Sequence, residues 1–427
     1  MHIEPAVSLR GDLAVPGDKS ISHRALMLGA IAEGETEIRG FGRSADTLST
    51  AAAIAALGPT VEDESDVIRV GGVGMRGLVA SPGPIDCGNA GTLIRLLAGI
   101  LAGQRGRFEL VGDESLSCRP LERIAEPLRL MGARIETTDG HAPLRVEGGE
   151  LRAISYELPV ASAQIKSCVL LAGLYAAAGP TTVVEPSPSR DHTERMLAAA
   201  GARIERRPSG ASVWPTERLR PLSLDVPGDF SSAAPFLAAA TLLPGSEVRL
   251  HGIGVNPTRT GFLRVLERMG ARISVYKRRE AGGEPVADLE VAESELVATQ
   301  IGGEEVPLLI DELPLFALCA AHAHGESAVR GAQELRVKES DRIESVTNAL
   351  RAAGARITST HDGFRVRGVP SRPKGGGVVE SGGDHRIAML AALAGLLSRE
   401  GIEVRGAECV GVSFPGFFDV LDSLVVR

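Results

Sequence analysis

Seven cations in this 427-residue chain stand where helices are expected to begin. Lys19 lies in Gly17-Asp-Lys-Ser20, with Arg24 about one turn later. Arg119 precedes Pro120, Arg190 precedes Asp191-His192, Lys338 and Arg342 bracket Glu339-Ser340-Asp341, and Arg386 follows Asp384-His385. Other helix starts carry Asn89-Ala-Gly91-Thr92, Ser162-Ala-Gln164, Ser189, Asp229 and Asp311-Glu312. Capping accounts for Ser, Asp and Asn at such places, because their side chains accept from unsatisfied backbone N–H groups. It is sufficient for Asp46, Asp229, Ser231 and Thr258. It does not account for the cations, which oppose the positive end of the helix dipole. Cations gathered with free helix N–H groups form a site for phosphate and carboxylate.

Other chemistries fit less well. Gly72-Val-Gly-Met-Arg-Gly77 matches a dinucleotide-binding spacing, but Leu-Val-Ala-Ser-Pro follows where that motif needs a helix. Gly17-Asp-Lys-Ser20 lacks the Gly-Lys pair of a phosphate-binding P-loop. His322 and His324 have no third ligand nearby, and Asp191-His192 has no activated serine with it. Neither a metal nor a cofactor is therefore expected.

The helices that position these residues belong to a repeat. Leu-Arg-Leu-Met-Gly-Ala-Arg-Ile at 128–135 recurs with little change at 197–204, 266–273 and 350–357, with a weaker copy at 55–61. The final copy, at 420–425, is cut short by the C-terminus. Each copy reads as a helix ended by a glycine able to take positive φ, then a strand. A more apolar helix precedes each, beginning near residues 20, 90, 163, 230, 311 and 385, and most run through a Gly into a strand. Val15-Pro-Gly-Asp18 returns as Val226-Pro-Gly-Asp229, which divides six units into two sets of three. The expected class is α/β, with two domains of three units and an interior layer of helices under sheets.

Composition agrees with a two-domain globular chain: apolar residues make up 44%, and aromatics only 3%. The net charge of −8 opposes general nucleic-acid binding, although a local cluster can still attract small anions. The five scattered cysteines suggest reduced thiols. With no signal-like N-terminus and no apolar run of membrane-spanning length, a cytoplasmic protein with no membrane partner is expected, and a monomer is favoured.

Leu13-Ala-Val-Pro-Gly-Asp-Lys-Ser-Ile-Ser-His-Arg24, Cys87-Gly-Asn-Ala-Gly-Thr92, Gly112-Asp-Glu-Ser-Leu-Ser-Cys-Arg-Pro120, Arg336-Val-Lys-Glu-Ser-Asp-Arg342 and Gly383-Asp-His-Arg386 together resemble the 5-enolpyruvylshikimate-3-phosphate (EPSP) synthase family. The resemblance spans essentially the whole chain. It implies two domains, each of three βαβαββ units in an inside-out α/β barrel, with residues 1–18 and 229–427 in one and 19–228 in the other. It also implies an active site in the cleft between them. The implied reaction transfers the enolpyruvyl group of phosphoenolpyruvate to the 5-hydroxyl of shikimate 3-phosphate by addition and elimination.

By the same resemblance, Lys19 touches both substrates. Ser20, Arg24, Ser162, Gln164, Ser189, Arg190, Asp311 and Lys338 bind shikimate 3-phosphate. Asn89, Gly91, Arg119, Gln164, Arg342 and Arg386 hold phosphoenolpyruvate. Asp311 and Glu339 would move protons, with Lys19 and His385 as partners. Asp311 also reads as an N-cap before Leu313-Pro-Leu-Phe316. Ala163, Ser189-Arg190 and Val412 resemble the family's second class. A related transferase that acts on a UDP-sugar uses a cysteine in the loop that here holds Cys118. That cysteine comes five residues before its Arg, a slot filled here by Glu114. In an extended segment Cys118 would also point away from Arg119.

Overall fold

A computed structural model describes residues 1–427. Six apolar helices form its interior: Lys19–Ala30, Gly91–Leu101, Ala163–Gly173, Phe230–Leu242, Leu313–His322 and His385–Leu397. They are apolar on nearly every face, and burial follows: from Phe230 to Thr241 no residue reaches solvent appreciably. None of the helices is long and apolar enough to cross a membrane.

A strand follows each interior helix, at Glu33–Arg39, Gly106–Val111, Thr181–Val184, Glu247–Gly254, Glu326–Val329 and Ile402–Arg405. A second helix follows each strand. Five of these helices, Ala45–Ala56, Glu122–Met131, His192–Ala199, Gly261–Met269 and Arg342–Ala352, run into the glycines of the repeated phrase. Gly58, Gly132, Gly201, Gly270 and Gly354 have φ of +112°, +107°, +88°, +101° and +96°. Glycine alone takes these values without steric cost, so the repeated residue is a stop signal set by backbone geometry.

The strands make six small sheets. In each, the strand after the interior helix has a parallel neighbour on one side and an antiparallel one on the other. The parallel partner of Glu33–Arg39 is Ser223–Asp225, so the last strand of the third unit joins the sheet of the first. The beginning of the chain supplies strands to the sheets of both the fourth and the sixth units. His2–Ile3 pairs with Ile402–Glu403, and Val425–Val426 pairs with Ser8–Leu9.

The chain divides into two compact units, one of Met1–Pro16, Gly228–Arg279 and Pro285–Arg427, the other of Gly17–Pro227 with Glu280–Glu284. Each has its own apolar core, one around Phe236, Phe316 and Leu390, the other around Leu26, Leu97 and Leu170. The excursion at Glu280–Glu284 has no counterpart in the repeat pattern. It is a hairpin tip whose Glu284 accepts at 2.8 Å from the buried ring of His192.

Candidate active site

In the unit that begins at Gly17, the first interior helix is capped by Asp18, which accepts from the N–H of Ile21. Lys19, at its first position, forms a 2.8 Å ion pair with Asp46. Asp46 is therefore not the cap that its position suggested. Ser44 takes that role, in a reciprocal capping box with Thr47. Ser20 is half-buried, and its carbonyl accepts from Arg24. Arg24 turns into the protein, donating to Thr193 at 2.7 Å, Ser167 at 2.9 Å and Ser20 at 2.9 Å. Burial lowers its pKa to about 10, with Glu194 and Asp18 opposing the shift.

A second group surrounds the start of the next helix. Gly91 opens it, and a Cβ added there would lie 2.7 Å from Arg95 Nη1 and 3.2 Å from Arg119 Nη1. Arg119 donates to the side-chain oxygen of Asn89 and, at 3.1 Å, to Ser115. Asn89 in turn donates to Asp113 at 2.8 Å. Gln164 bridges two helices, accepting from Arg95 at 3.0 Å and donating to Thr92 at 3.0 Å. The structure thus brings Asn89, Gly91, Arg119 and Gln164 together. It adds Arg95, which sequence reasoning missed because it sits a full turn inside an apolar helix.

Ser162 caps the third helix by accepting from Ile165 N–H at 3.4 Å. Ser189 is buried, and its hydroxyl donates to Glu185 at 2.5 Å. Lys166, buried in the same place, contacts Glu185 and Glu194 at 2.9 Å and the Ser189 carbonyl at 3.3 Å. Burial opposes the Lys166 charge, but the two carboxylates outweigh it and raise its pKa. This internal triad fixes the loop that carries Arg190.

In the other unit the centre is Arg342, first residue of its helix, with Asp341 as N-cap. Its guanidinium is almost fully buried and serves three carboxylates. Nε and Nη2 donate to Asp384 at 2.8 and 3.2 Å, Nη2 to Glu339 at 2.7 Å, and Nη1 to Asp311 at 3.3 Å. Burial alone would weaken the charge, yet these carboxylates raise its pKa. Burial works against ionised Asp384 too, and Arg342 reverses that and lowers its pKa. Lys338 is half-buried, and desolvation lowers its pKa against the pull of Asp311 and Glu339. His385 and Arg386 follow Asp384, which caps their helix by accepting from Arg386 N–H.

Asp311 is not an N-cap. Glu312 holds that position, and the helix Leu313–His322 has no side-chain cap. Glu312 is buried, accepts from Ser231, and has its pKa raised by burial. Asp229 does cap its helix, but it also accepts from Arg259 at 2.9 Å. Ser231 accepts from the same Arg259 at 2.8 Å, and Thr258 bonds the side chain of Asn256. Arg259 lies 3.9 Å from Asp311. It was visible only as the end of the polar Asn256-Pro-Thr-Arg stretch. Cys118 also differs from expectation: it closes the short helix Glu114–Ser117 in an αR conformation, not an extended one. It is exposed while Arg119 is buried.

Six copies of one α/β unit, with guanidinium, ammonium and carboxylate groups gathered at helix starts, define an enzyme built for small anionic substrates. Comparison with known proteins makes that class specific. A family model described as EPSP synthase (3-phosphoshikimate 1-carboxyvinyltransferase) matches residues 3–421. A protein of Geobacter metallireducens named 3-phosphoshikimate 1-carboxyvinyltransferase is 48% identical over 427 residues, covering 100% of this chain and 99% of its own. The solved EPSP synthase of Acinetobacter baumannii superposes with a TM-score of 0.88 at 43% identity, covering 100% of this chain and 98% of that one. The enolpyruvyl transferase NikO of Streptomyces tendae has the same fold, with a TM-score of 0.80 at 18% identity, over 99% and 96% of the two chains. The chain belongs to the EPSP synthase family and is an enolpyruvyl transferase.

Proposed function

We propose that the chain joins phosphoenolpyruvate to shikimate 3-phosphate and releases phosphate, with the residues above in the following roles. The 5-hydroxyl oxygen bonds to C2 of phosphoenolpyruvate while Asp311 takes its proton and Glu339 delivers one to the methylene carbon. The C2–O bond to phosphate then breaks and a methyl proton is lost, which restores the double bond. Lys19 and His385 assist these transfers. Proton transfer of this kind requires groups within hydrogen-bond reach of the reacting atoms.

The observation that carries this reading is that one guanidinium, Arg342, contacts both Asp311 and Glu339. Arg342 lets the two carboxylates lie close together and favours their ionised forms, so Asp311 is ready as a base and Glu339 acts as an acid only after taking up a proton. Lys19, Ser20, Arg24, Ser162, Gln164, Ser189, Arg190 and Lys338 bind shikimate 3-phosphate in this account. Arg24 does so with the N–H groups left after its interior bonds, and Ser189 through the loop it anchors. Asn89, Gly91, Arg119, Gln164, Arg342 and Arg386 serve phosphoenolpyruvate. Arg95 joins them, being placed against Gly91 and Gln164. Many cations are required, because two highly charged anions repel each other at contact distance.

The two compact units are read as the two domains. The reading also includes a cytoplasmic single chain that acts without metal, nucleic acid or membrane; the five free cysteines support a reducing compartment. Mass spectrometry of the acceptor tests the reaction. A gain of one enolpyruvyl group on shikimate 3-phosphate is expected, and an unaltered acceptor after phosphoenolpyruvate is consumed would refute it.

A further inference from the structure

The repeated phrase has a second use. Its arginine, which follows the helix-ending Gly-Ala, occurs in four copies, and three of them have partners. Arg134 pairs with Glu147 at 3.4 Å, Arg203 stacks over Trp214 at 4.0 Å, and Arg272 donates to the Glu293 carbonyl at 2.9 Å. The fourth, Arg356, is exposed and has no partner.

An arginine two or three residues before that glycine behaves the same way. Arg129 Nε donates to the Ile135 carbonyl at 2.9 Å, and Glu122 holds its Nη1. Arg268 pairs with Glu305 at 2.8 Å. Arg351 makes the matching bond from Nε to the Ile357 carbonyl at 2.9 Å, but no carboxylate meets it. Its place in the last helical turn suits the dipole, so that bond alone is structural.

The sheet beside it repeats the contrast. Each of the other five sheets carries a glutamate–arginine pair, such as Arg69–Glu35, Arg145–Glu109, Arg207–Glu205, Arg249–Glu290 and Arg405–Glu380. In the sheet of Glu326–Val329, Arg356–Thr360 and Gly363–Arg367, the exposed Arg365 and Arg367 have no such partner. Arg356 is directly opposite Arg367 in the ladder, a like-charge placement that costs stability. Glu326, also in register with Arg367, makes no ion pair with it. Arg351, Arg356, Arg365 and Arg367 line one groove of about 510 Å³.

We propose that this groove binds a small anion carrying two or more phosphate groups, at a site separate from the one that turns over substrate. The Cα atoms of opposed arginines are about 5 Å apart across the strands and those of Arg365 and Arg367 about 7 Å apart along one, a spacing that suits linked phosphates better than a single one. Arg351 lies nine residues after Arg342, roughly 13 Å along the same helix, so the groove is at the end of that helix away from the catalytic carboxylates.

Hydrogen exchange on the whole protein, titrated with inorganic tripolyphosphate, tests the proposal. Saturating tripolyphosphate is expected to protect residues 356–367 at a concentration at least about tenfold below that needed for orthophosphate. Arg365→Gln combined with Arg367→Gln is expected to shift that titration by about tenfold or more, with turnover and melting temperature retained. Either of two results would overturn the proposal: absence of protection in this segment, or equal protection in the wild type and the double variant. An unfolded double variant would be replaced by Arg356→Gln, read in the same way.

Discussion

Arg342 and Asp384 form a two-point pair in the interior, Nε to Oδ2 at 2.8 Å and Nη2 to Oδ1 at 3.2 Å. Asp384 is also the acceptor for Ser340 at 2.9 Å and the cap of the helix that carries His385 and Arg386. The pair therefore joins the loop around Glu339 to the start of a different helix, and it holds Arg342 where it also reaches Asp311. Arg342→Ala would leave Asp384 charged and unpaired in the interior. A loss of about 3–5 kcal/mol is expected in urea unfolding. A loss below about 1 kcal/mol would show that the pair is not what holds these segments.

Glu339→Ala and Asp311→Ala should each lower turnover by about a hundredfold or more, the scale of losing a positioned acid or base. Calorimetry should find shikimate 3-phosphate binding preserved in Glu339→Ala. Near-normal turnover in either variant removes that residue from the proton transfers.

Gly91→Ala places a methyl group against the tips of Arg95 and Arg119, which are flexible ends that can move aside. Folding should survive, with the melting temperature changed by less than about 2 °C. The KM for phosphoenolpyruvate should rise roughly tenfold, equivalent to about 1.4 kcal/mol of lost binding. An unchanged KM would mean that neither guanidinium meets phosphoenolpyruvate.

His23 is fully buried, with Nδ1 2.7 Å from Thr50 Oγ1. Burial, reinforced by Lys19 and Arg24 and opposed by Asp46, lowers its pKa from 6.5 to about 3. The unfolded chain therefore takes up a proton that the folded chain refuses. The stability contribution is complete above pH 6.5 and declines between pH 6.5 and about 3, by up to about 1.4 kcal/mol per pH unit. His23→Gln should flatten the acid side of a stability–pH curve by up to one proton. An identical slope in the variant would contradict this.

What the sequence made legible was periodic or local. The interior helices begin within a few residues of the expected positions, and the glycine stops appear as left-handed backbone, because a helix end is set by a handful of neighbouring residues. Pairings across long separations were not legible. Asp46 resembled a cap until Lys19, 27 residues away, claimed it. Arg259 meets Asp229 and Ser231, and Lys166 meets Glu185 and Glu194, only after the units fold. Asp384 read as a capping residue, which it is, but its larger task of holding Arg342 depends on a partner 42 residues earlier. No short pattern encodes that contact.

The proposed acceptor is shikimate 3-phosphate and not a UDP-sugar. Phosphate release measured with phosphoenolpyruvate and one acceptor at a time, in the presence of a metal chelator, tests it most directly. Release is expected to require shikimate 3-phosphate and to persist with the chelator. Release with UDP-N-acetylglucosamine and none with shikimate 3-phosphate would contradict it.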